Sequence, residues 1–498
     1  MTGILWRTLV AIHRYLGIAV GLMMAIWFAS GAVMMYVGFP ELAEKARLAV
    51  LRPIDWQACC RFPSEGIDDN GVFERAQVEG LLDKPVLRLR RTLLPDILID
   101  LTQGTVVEVD EKVARAIATD AASRFAGRYV PVAVVDEIEE GDQWTVGRYH
   151  ADLPLFRFAF DDPDRTVVYV SSASGQVVLW TTAWQRFWNW LGAIPHWLYP
   201  LALRSDPQLW GQVVIWTAIL GTFLTAVGLV LGVTQLRRRR GGSISPYRGF
   251  FYWHHVAGLL FGLVALSFVF SGLISMNPWG FLESRGGGER ARLMGAPPRW
   301  SAIRVSLDAL RERPLAAVNL TTAPLAGRLY WLATDAKGAV TRLDASGNAA
   351  PLSQAELADA AQRLARDNGI AEQALMREED AYYFSHHDAA VLPVYRIVLN
   401  DAQATRYYLD PVSGALLQRL DADRRWHRWL FAGLHRIDFA QWLRVRPLWD
   451  MIVLGLLLGG AGVSLTGVYL ALRRLRGDTA GLLRLFRAPR LVVRPDEH

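Results

Sequence analysis

Four of the ten histidines recur at fixed spacing, and that recurrence is the chain's clearest chemical signal. "IHRYLGIAVGLMMAIWFASG" (12–31) aligns without a gap on "WHHVAGLLFGLVALSFVFSG" (253–272). His13 falls on His254, Gly17 on Gly258, Gly21 on Gly262, Ser30 on Ser271 and Gly31 on Gly272. At a slightly shorter offset "FWNWLGAIPHWLYP" (187–200) aligns on "WHRWLFAGLHRIDF" (426–439). There Trp190 meets Trp429, Leu191 meets Leu430 and His196 meets His435, and Gly228 meets Gly467 further on. Ionisable side chains at the ends of long apolar runs are costly, which makes them functional candidates. Two facing imidazoles can ligate one haem iron axially, and four give two such centres. A proton relay and a metal site without haem are the competing readings of the same residues.

The neighbouring residues fit a flat cofactor. Gly17, Gly21, Gly258 and Gly262 lie four and eight residues beyond their histidines, one and two turns along the same helical face. A macrocycle can rest where no side chain stands, although such glycine spacing also serves helix packing. Arg14, Arg186 and Arg425 are candidate partners for haem propionates. His255 is an alternative to His254, about 100° away around the helix. His427, which aligns with Trp188, is a second alternative. His150, His386 and His387 precede repeated strand segments and read as surface residues.

These ligands need elements to hold them. The 498 residues are 52% hydrophobic with 19 tryptophans, yet 20% are charged, so apolar spans must alternate with polar domains. Segments 15–37, 208–234, 252–276 and 448–472 each supply the ~20 apolar residues that a ~30 Å hydrocarbon layer requires. The first is too long for a signal-peptide core and reads as an uncleaved anchor. Arg7 and Arg14 precede the first span, Arg237 to Arg240 and Arg248 fill the loop 235–251, and Arg473, Arg474 and Arg476 follow the fourth span. This bias places both termini (from residue 1, and the tail 473–498) and that loop in the cytoplasm. The long segments 38–207 and 277–447 then lie outside. The net charge of +6 is accounted for by these arginines, and no nucleic-acid partner is implied.

The outer segments repeat as well. "LPLFRFAFDDPDRTVVYVSSASGQVV" (153–178) aligns on "LPVYRIVLNDAQATRYYLDPVSGALL" (392–417), and each alternates apolar and polar residues through strands separated by turns. Amphipathic helices from 111 and 353 precede them, the second with Ser353 and Glu356 at capping-box spacing. Residues 38–110 and 277–350 hold further alternating segments, expected to extend each outer domain by a sheet of its own. Cys59 and Cys60 are adjacent, a spacing at which disulfides are uncommon. The fold class expected is a polytopic α-helical membrane protein. It comprises a four-helix bundle and two outer α+β domains, built by internal duplication.

"HRYLG" at the first span, "WHHVAGL" at the third, "LHRIDF" before the fourth and the two helix-plus-hairpin outer domains resemble PepSY-associated transmembrane proteins. That family includes inner-membrane ferrisiderophore reductases, and the resemblance covers nearly the whole chain. It implies PepSY-like cores at about 111–180 and 353–420 and a location in the bacterial inner membrane, with the outer domains periplasmic. It also implies a core binding two haems b, with His13 and His254 ligating on the cytoplasmic side and His196 and His435 on the periplasmic side. Electrons would pass outward to ferric iron held by a siderophore. Some relatives carry a fused flavin reductase domain, whereas the cytoplasmic parts here are a short loop and a short tail. The donor implied is therefore a quinol or a separate cytoplasmic reductase. A membrane-anchored PepSY module that binds or regulates a protein, without redox activity, is the alternative.

Overall fold

The computed structural model describes residues 3–92, 94–236, 244–284, 286–313, 315–385 and 390–487, with side chains to residue 479. Four helices are long and apolar enough to cross a membrane: Gly3–Met34, Pro207–Thr234, Phe250–Ser275 and Leu448–Thr479. The first starts well before the expected residue 15. The fourth belongs to a helix that continues to Arg487, into the stretch expected as a basic tail. Helical hydrogen bonding does not stop where apolarity does. The second helix starts cleanly because Asp206 caps the Gln208 and Leu209 amides and Pro207 occupies the first turn.

The four helices form a bundle. The first touches the second and fourth, and the third touches the same two, so the first and third stand at opposite corners. By connectivity, both α+β segments emerge at one end of the bundle. Residues 235–236 and 244–249, between the second and third helices, lie at the other end, and Arg237 to Arg240 fall outside the described residues.

Each α+β segment contains the expected helix and hairpin. Helix Glu111–Ala126 packs on an antiparallel sheet of strands 132–138, 155–160, 167–171 and 177–181. Helix Gln354–Ala365, with its Ser353/Glu356 capping box, packs on strands 370–376, 394–399, 406–409 and 416–420. The first strand of each sheet escaped the sequence reading. Its burial pattern is mostly exposed, so it lacks a clean apolar alternation. The repeat persists in detail: Tyr169 donates to Asp142 at 2.7 Å, and its counterpart Tyr408 donates to Asp380 at 2.9 Å.

The remaining outer residues depart from expectation. They do not build one sheet per domain but a single seven-stranded antiparallel sheet in the order 340–344, 330–334, 319–322, 75–81, 84–90, 97–100, 105–106. The seam pairs Gln77 with Thr321, Val78 with Leu320 and Glu79 with Asn319. One face is covered by helix Trp300–Arg311, with Val78, Leu87, Ile99, Trp300, Leu307, Leu320 and Trp331 in a common core. Cys59 and Cys60, bonded to each other, are buried in that core. At the seam Arg88 donates to Glu79 at 2.5 Å and to the Ser174 carbonyl at 2.6 Å, while Gln77 bridges Glu79 and Asn319. These bonds satisfy charges that the sheet buries. They also tie it to the first four-stranded sheet.

Two outcomes are expected. Val78→Asp places an unpaired carboxylate at a fully buried seam position. Hydrogen–deuterium exchange should therefore accelerate in strands 319–322 and 330–334, which two independent sheets would leave protected. Burial disfavours the charge on Glu356, but bonds from the Ser353 amide and hydroxyl and from Arg342 outweigh it. Together they hold the carboxyl down to about 2 from an ordinary 4.5. A depressed folded-state pKa stabilises fully above the unfolded value and is lost as pH falls through the folded one. Exchange protection of helix Gln354–Ala365 should thus decline between pH 4.5 and 2, and Glu356→Gln should flatten that dependence.

Candidate functional site

The bundle brings the repeated histidines together in pairs by end, as their spacing indicated. His13 on the first helix faces His254 on the third across the bundle diagonal, with ring centroids 6.3 Å apart. At the other end His196 faces His435, centroids 6.1 Å apart. Two imidazoles whose nitrogens each sit about 2 Å from one metal ion have centroids about 6 Å apart. Among the described residues no group of three or more His, Cys, Asp or Glu side chains is placed to hold a metal ion. Each pair brings two imidazole rings together.

The second ring nitrogen of every one of these histidines is anchored in the same way. Nδ1 of His13 is 3.3 Å from the Leu224 carbonyl oxygen, and Nδ1 of His254 is 3.2 Å from that of Val463. Nδ1 of His196 is 3.1 Å from the Trp27 carbonyl oxygen, and Nδ1 of His435 is 3.2 Å from that of Phe268. The acceptors are themselves repeat counterparts. A carbonyl oxygen only accepts, so each Nδ1 must carry the proton, which leaves the Nε2 lone pair free. Metal-ligating histidines are held in this manner. Hydroxyls reinforce three of the four: Thr466 at His254, Ser30 at His196 and Ser271 at His435. Burial pushes His196 down to about 4, against the Trp27 bond. Burial and the neighbouring His196 push His435 to about 3, so both rings are neutral near pH 7.

Two local devices deliver the histidines that precede spans. In the first half the helix Ala183–Leu191 breaks at Gly192 before a short turn, Ala193–His196. In the second half a π-helical turn, Arg428–Gly433, leads into Leu434–Arg436. Two residues after each histidine the chain turns left-handed, at Leu198 (φ 51°) and Ile437 (φ 54°). Non-glycine residues rarely adopt that conformation, least of all a β-branched one. Arg428 and Arg444 both bind the buried Asp438 just beyond, which fixes the second of these turns.

The glycines divide into two sets. A Cβ on Gly228 would stand 2.6 Å from the His13 ring, and one on Gly467 would stand 3.0 Å from the His254 ring. These two make room for the imidazoles. Gly21 and Gly262 are helix contacts, where a Cβ would meet Val468 at 3.2 Å and Leu229 at 2.8 Å; they are not left free as cofactor walls. Gly17 and Gly258 fit the expected lining better, since a Cβ there meets nothing closer than 4.0 Å.

At the His196/His435 pair, the outer pair of the expected topology, lies a cavity of about 500 Å³. Trp27, Phe28, Trp197, Phe431 and Trp449 wall it, and His196 and His435 reach into it. Its size and mostly apolar, aromatic walls are those of a site for a small organic ligand. Two arginines line it, Arg436 and Arg446, and neither was a candidate from sequence.

Two of the arginines singled out by sequence, Arg186 and Arg425, lie elsewhere. Arg186 donates to the Thr181 and Arg165 carbonyls, and Arg425 to those of Ala404 and Gln403. Both fasten a hairpin turn to the following helix, and neither lines the cavity. Arg14 is half-buried with its guanidinium 6.0 Å from the Tyr15 ring centroid. His255 has both nitrogens engaged, with Ser245 at 2.9 Å and the Gly232 carbonyl at 2.8 Å, so it clamps helix ends and does not face His13. His427 stacks near Phe431 and lies outside the cavity lining. His150 is exposed, and His386 and His387 fall outside the described residues.

No protein-family model and no curated protein sequence matches this chain.

Gly228→Ala should displace His13 and destabilise the solubilised chain by about 1–3 kcal/mol, as overpacking does. Gly17→Ala, with open space before it, should be neutral or stabilise by up to ~1 kcal/mol through helix propensity. Thermal unfolding in detergent compares the two signs.

Proposed function

We propose that this chain is a di-haem electron-transfer protein of the bacterial inner membrane, related to PepSY-associated ferrisiderophore reductases. Both termini would be cytoplasmic and both α+β segments periplasmic. The observation that carries the reading is the shared anchoring of four histidines. The ring centroids of each pair stand about 6 Å apart, and all four Nδ1 atoms lie within hydrogen-bond distance of helix carbonyls, which would leave each Nε2 to a metal. A donor set of two neutral imidazoles and nothing else suits a metal whose other ligands come with it in a macrocycle.

Haem b, when bound, would supply reversible one-electron exchange. The chain's own residues do the rest. His13 and His254 hold one centre and His196 and His435 the other, with Gly17 and Gly258 leaving a flat face bare at the inner pair. Trp27 lies 14 residues beyond His13 on one unbroken helix, so the two pairs are separated by about 21 Å at 1.5 Å per residue. Ligation at two depths divides the ~30 Å apolar layer. The packed cluster of Val20, Met24, Phe28, Leu224, Ala265 and Phe268 excludes water from the interval.

The donor on the cytoplasmic side would be a quinol or a separate reductase, and the acceptor ferric iron in a siderophore. Adding one electron gives ferrous iron, which hard oxygen ligands grip less firmly. Donor and acceptor both follow from the resemblance of "HRYLG", "WHHVAGL" and "LHRIDF" to that family.

Detergent-purified protein from haem-replete cells should contain two b-type haems per chain by pyridine haemochrome, with low-spin bands after dithionite reduction. Alanine at any one of His13, His254, His196 or His435 should leave one haem per chain, whereas His255→Ala should leave two. A colourless preparation would sink the reading and favour the anchored PepSY module that binds a protein partner.

A further inference from the structure

The two halves match in how they hold their histidines but differ at the mouth of the outer cavity. Arg436 stands where the first half has Trp197, and Arg446 where it has Pro207. Both arginines line the cavity, and both come from the second half. Arg436 directly follows a ligand candidate, is exposed, and lies over Phe431, with its guanidinium 5.6 Å from the ring centroid. Among the described residues no carboxylate or carbonyl accepts a hydrogen bond from it. The nearby carboxylate, Asp438, is already held by Arg428 and Arg444. Arg446 gives one nitrogen to the Met35 carbonyl at 3.0 Å and lies 3.7 Å from Asp450, with its side chain 44% exposed. Two guanidiniums lining a mostly apolar, aromatic cavity suit a flat ligand that carries acid groups.

We infer that the outer cavity binds its ligand in a single orientation, with the ligand's carboxylates directed to Arg436 and Arg446. These two residues, not Arg186 and Arg425, are the carboxylate clamp. The inference rests on the haem reading above and adds which edge of the ring faces which half of the chain. Arg436 and Arg446 are positioning residues: they hold the ring by its acid groups while His196 and His435 hold it by the metal.

The test is a titration of the full chain followed in the Soret band. His13→Ala removes the inner site and serves as the parent, produced in haem-depleted cells. It is compared with the same chain carrying Arg436→Gln and Arg446→Gln, and with a version carrying lysines. Each is titrated with haem and with haem dimethyl ester, whose carboxylates are blocked. The parent should bind haem about 10- to 100-fold more tightly than the glutamine variant does, the factor expected of charge-assisted bonds. The two should bind the ester equally, and lysine should restore part of the haem affinity. Equal haem affinity in parent and variant would overturn the clamp. So would an equal loss for haem and ester, which would mark a packing defect. If the parent itself binds no haem, the proposed function falls, and the clamp with it.

Discussion

An imidazole cannot be enclosed among apolar helices unless its N–H finds an acceptor, and most of this bundle follows from that requirement. Helix carbonyls are already engaged along their own ladder, but each oxygen has a second lone pair. Leu224, Val463, Trp27 and Phe268 offer theirs to the four histidines. Reaching a helix carbonyl from a neighbouring element demands close approach, so glycine stands opposite the inner rings at 228 and 467. Gly31 lies beside His196 in the same way. The broken helix at Gly192, the π turn at 428–433 and the left-handed residues at 198 and 437 bring the outer histidines to the same kind of contact by different backbone routes.

Much of this was legible in the sequence because it is local or repeated. Apolar length gave the four long helices, Ser353 and Glu356 gave a helix start, and the two offsets paired His13 with His254 and His196 with His435. What could not be read is direction and distant partnership. Arg186 and Arg425 stand close in sequence to the outer histidines, yet the nearest unmet acceptors are turn carbonyls at Arg165 and Ala404, and the side chains go there. Gly21 and Gly262 share a helical face with their histidines, but that face also meets Val468 and Leu229. Nothing near Val78 announces Leu320 as its neighbour, because strand pairing between segments so far apart leaves no local pattern. Periplasmic placement, haem and a siderophore acceptor belong to the proposal.

The two halves correspond most closely where the four histidines are held and diverge around them. Asn189 in the first half donates to the Gly38 and Gln185 carbonyls. At the matching position Arg428 stacks over Trp429 and joins Asp438 and Arg444 in a buried ionic cluster. Such a cluster is costly to desolvate and confers rigidity only when fully satisfied. It sits just beyond His435, on the second half's side of the cavity. The first half supplies Trp197 and Tyr199, packed edge to face with ring centroids 5.8 Å apart.

The seven-stranded sheet has a bearing on how such a molecule could have arisen and whether it could be taken apart. Cut between the second and third spans, either piece would carry two spans, two of the four paired histidines and one helix-backed four-stranded sheet. Each would also present a bare strand edge, 75–81 in one piece and 319–322 in the other, with unpaired backbone groups and apolar side chains. In an ancestor of a single half, that edge is the natural seam for self-association. Within one chain the two edges satisfy each other, so what would be a contact between separate halves is an internal joint.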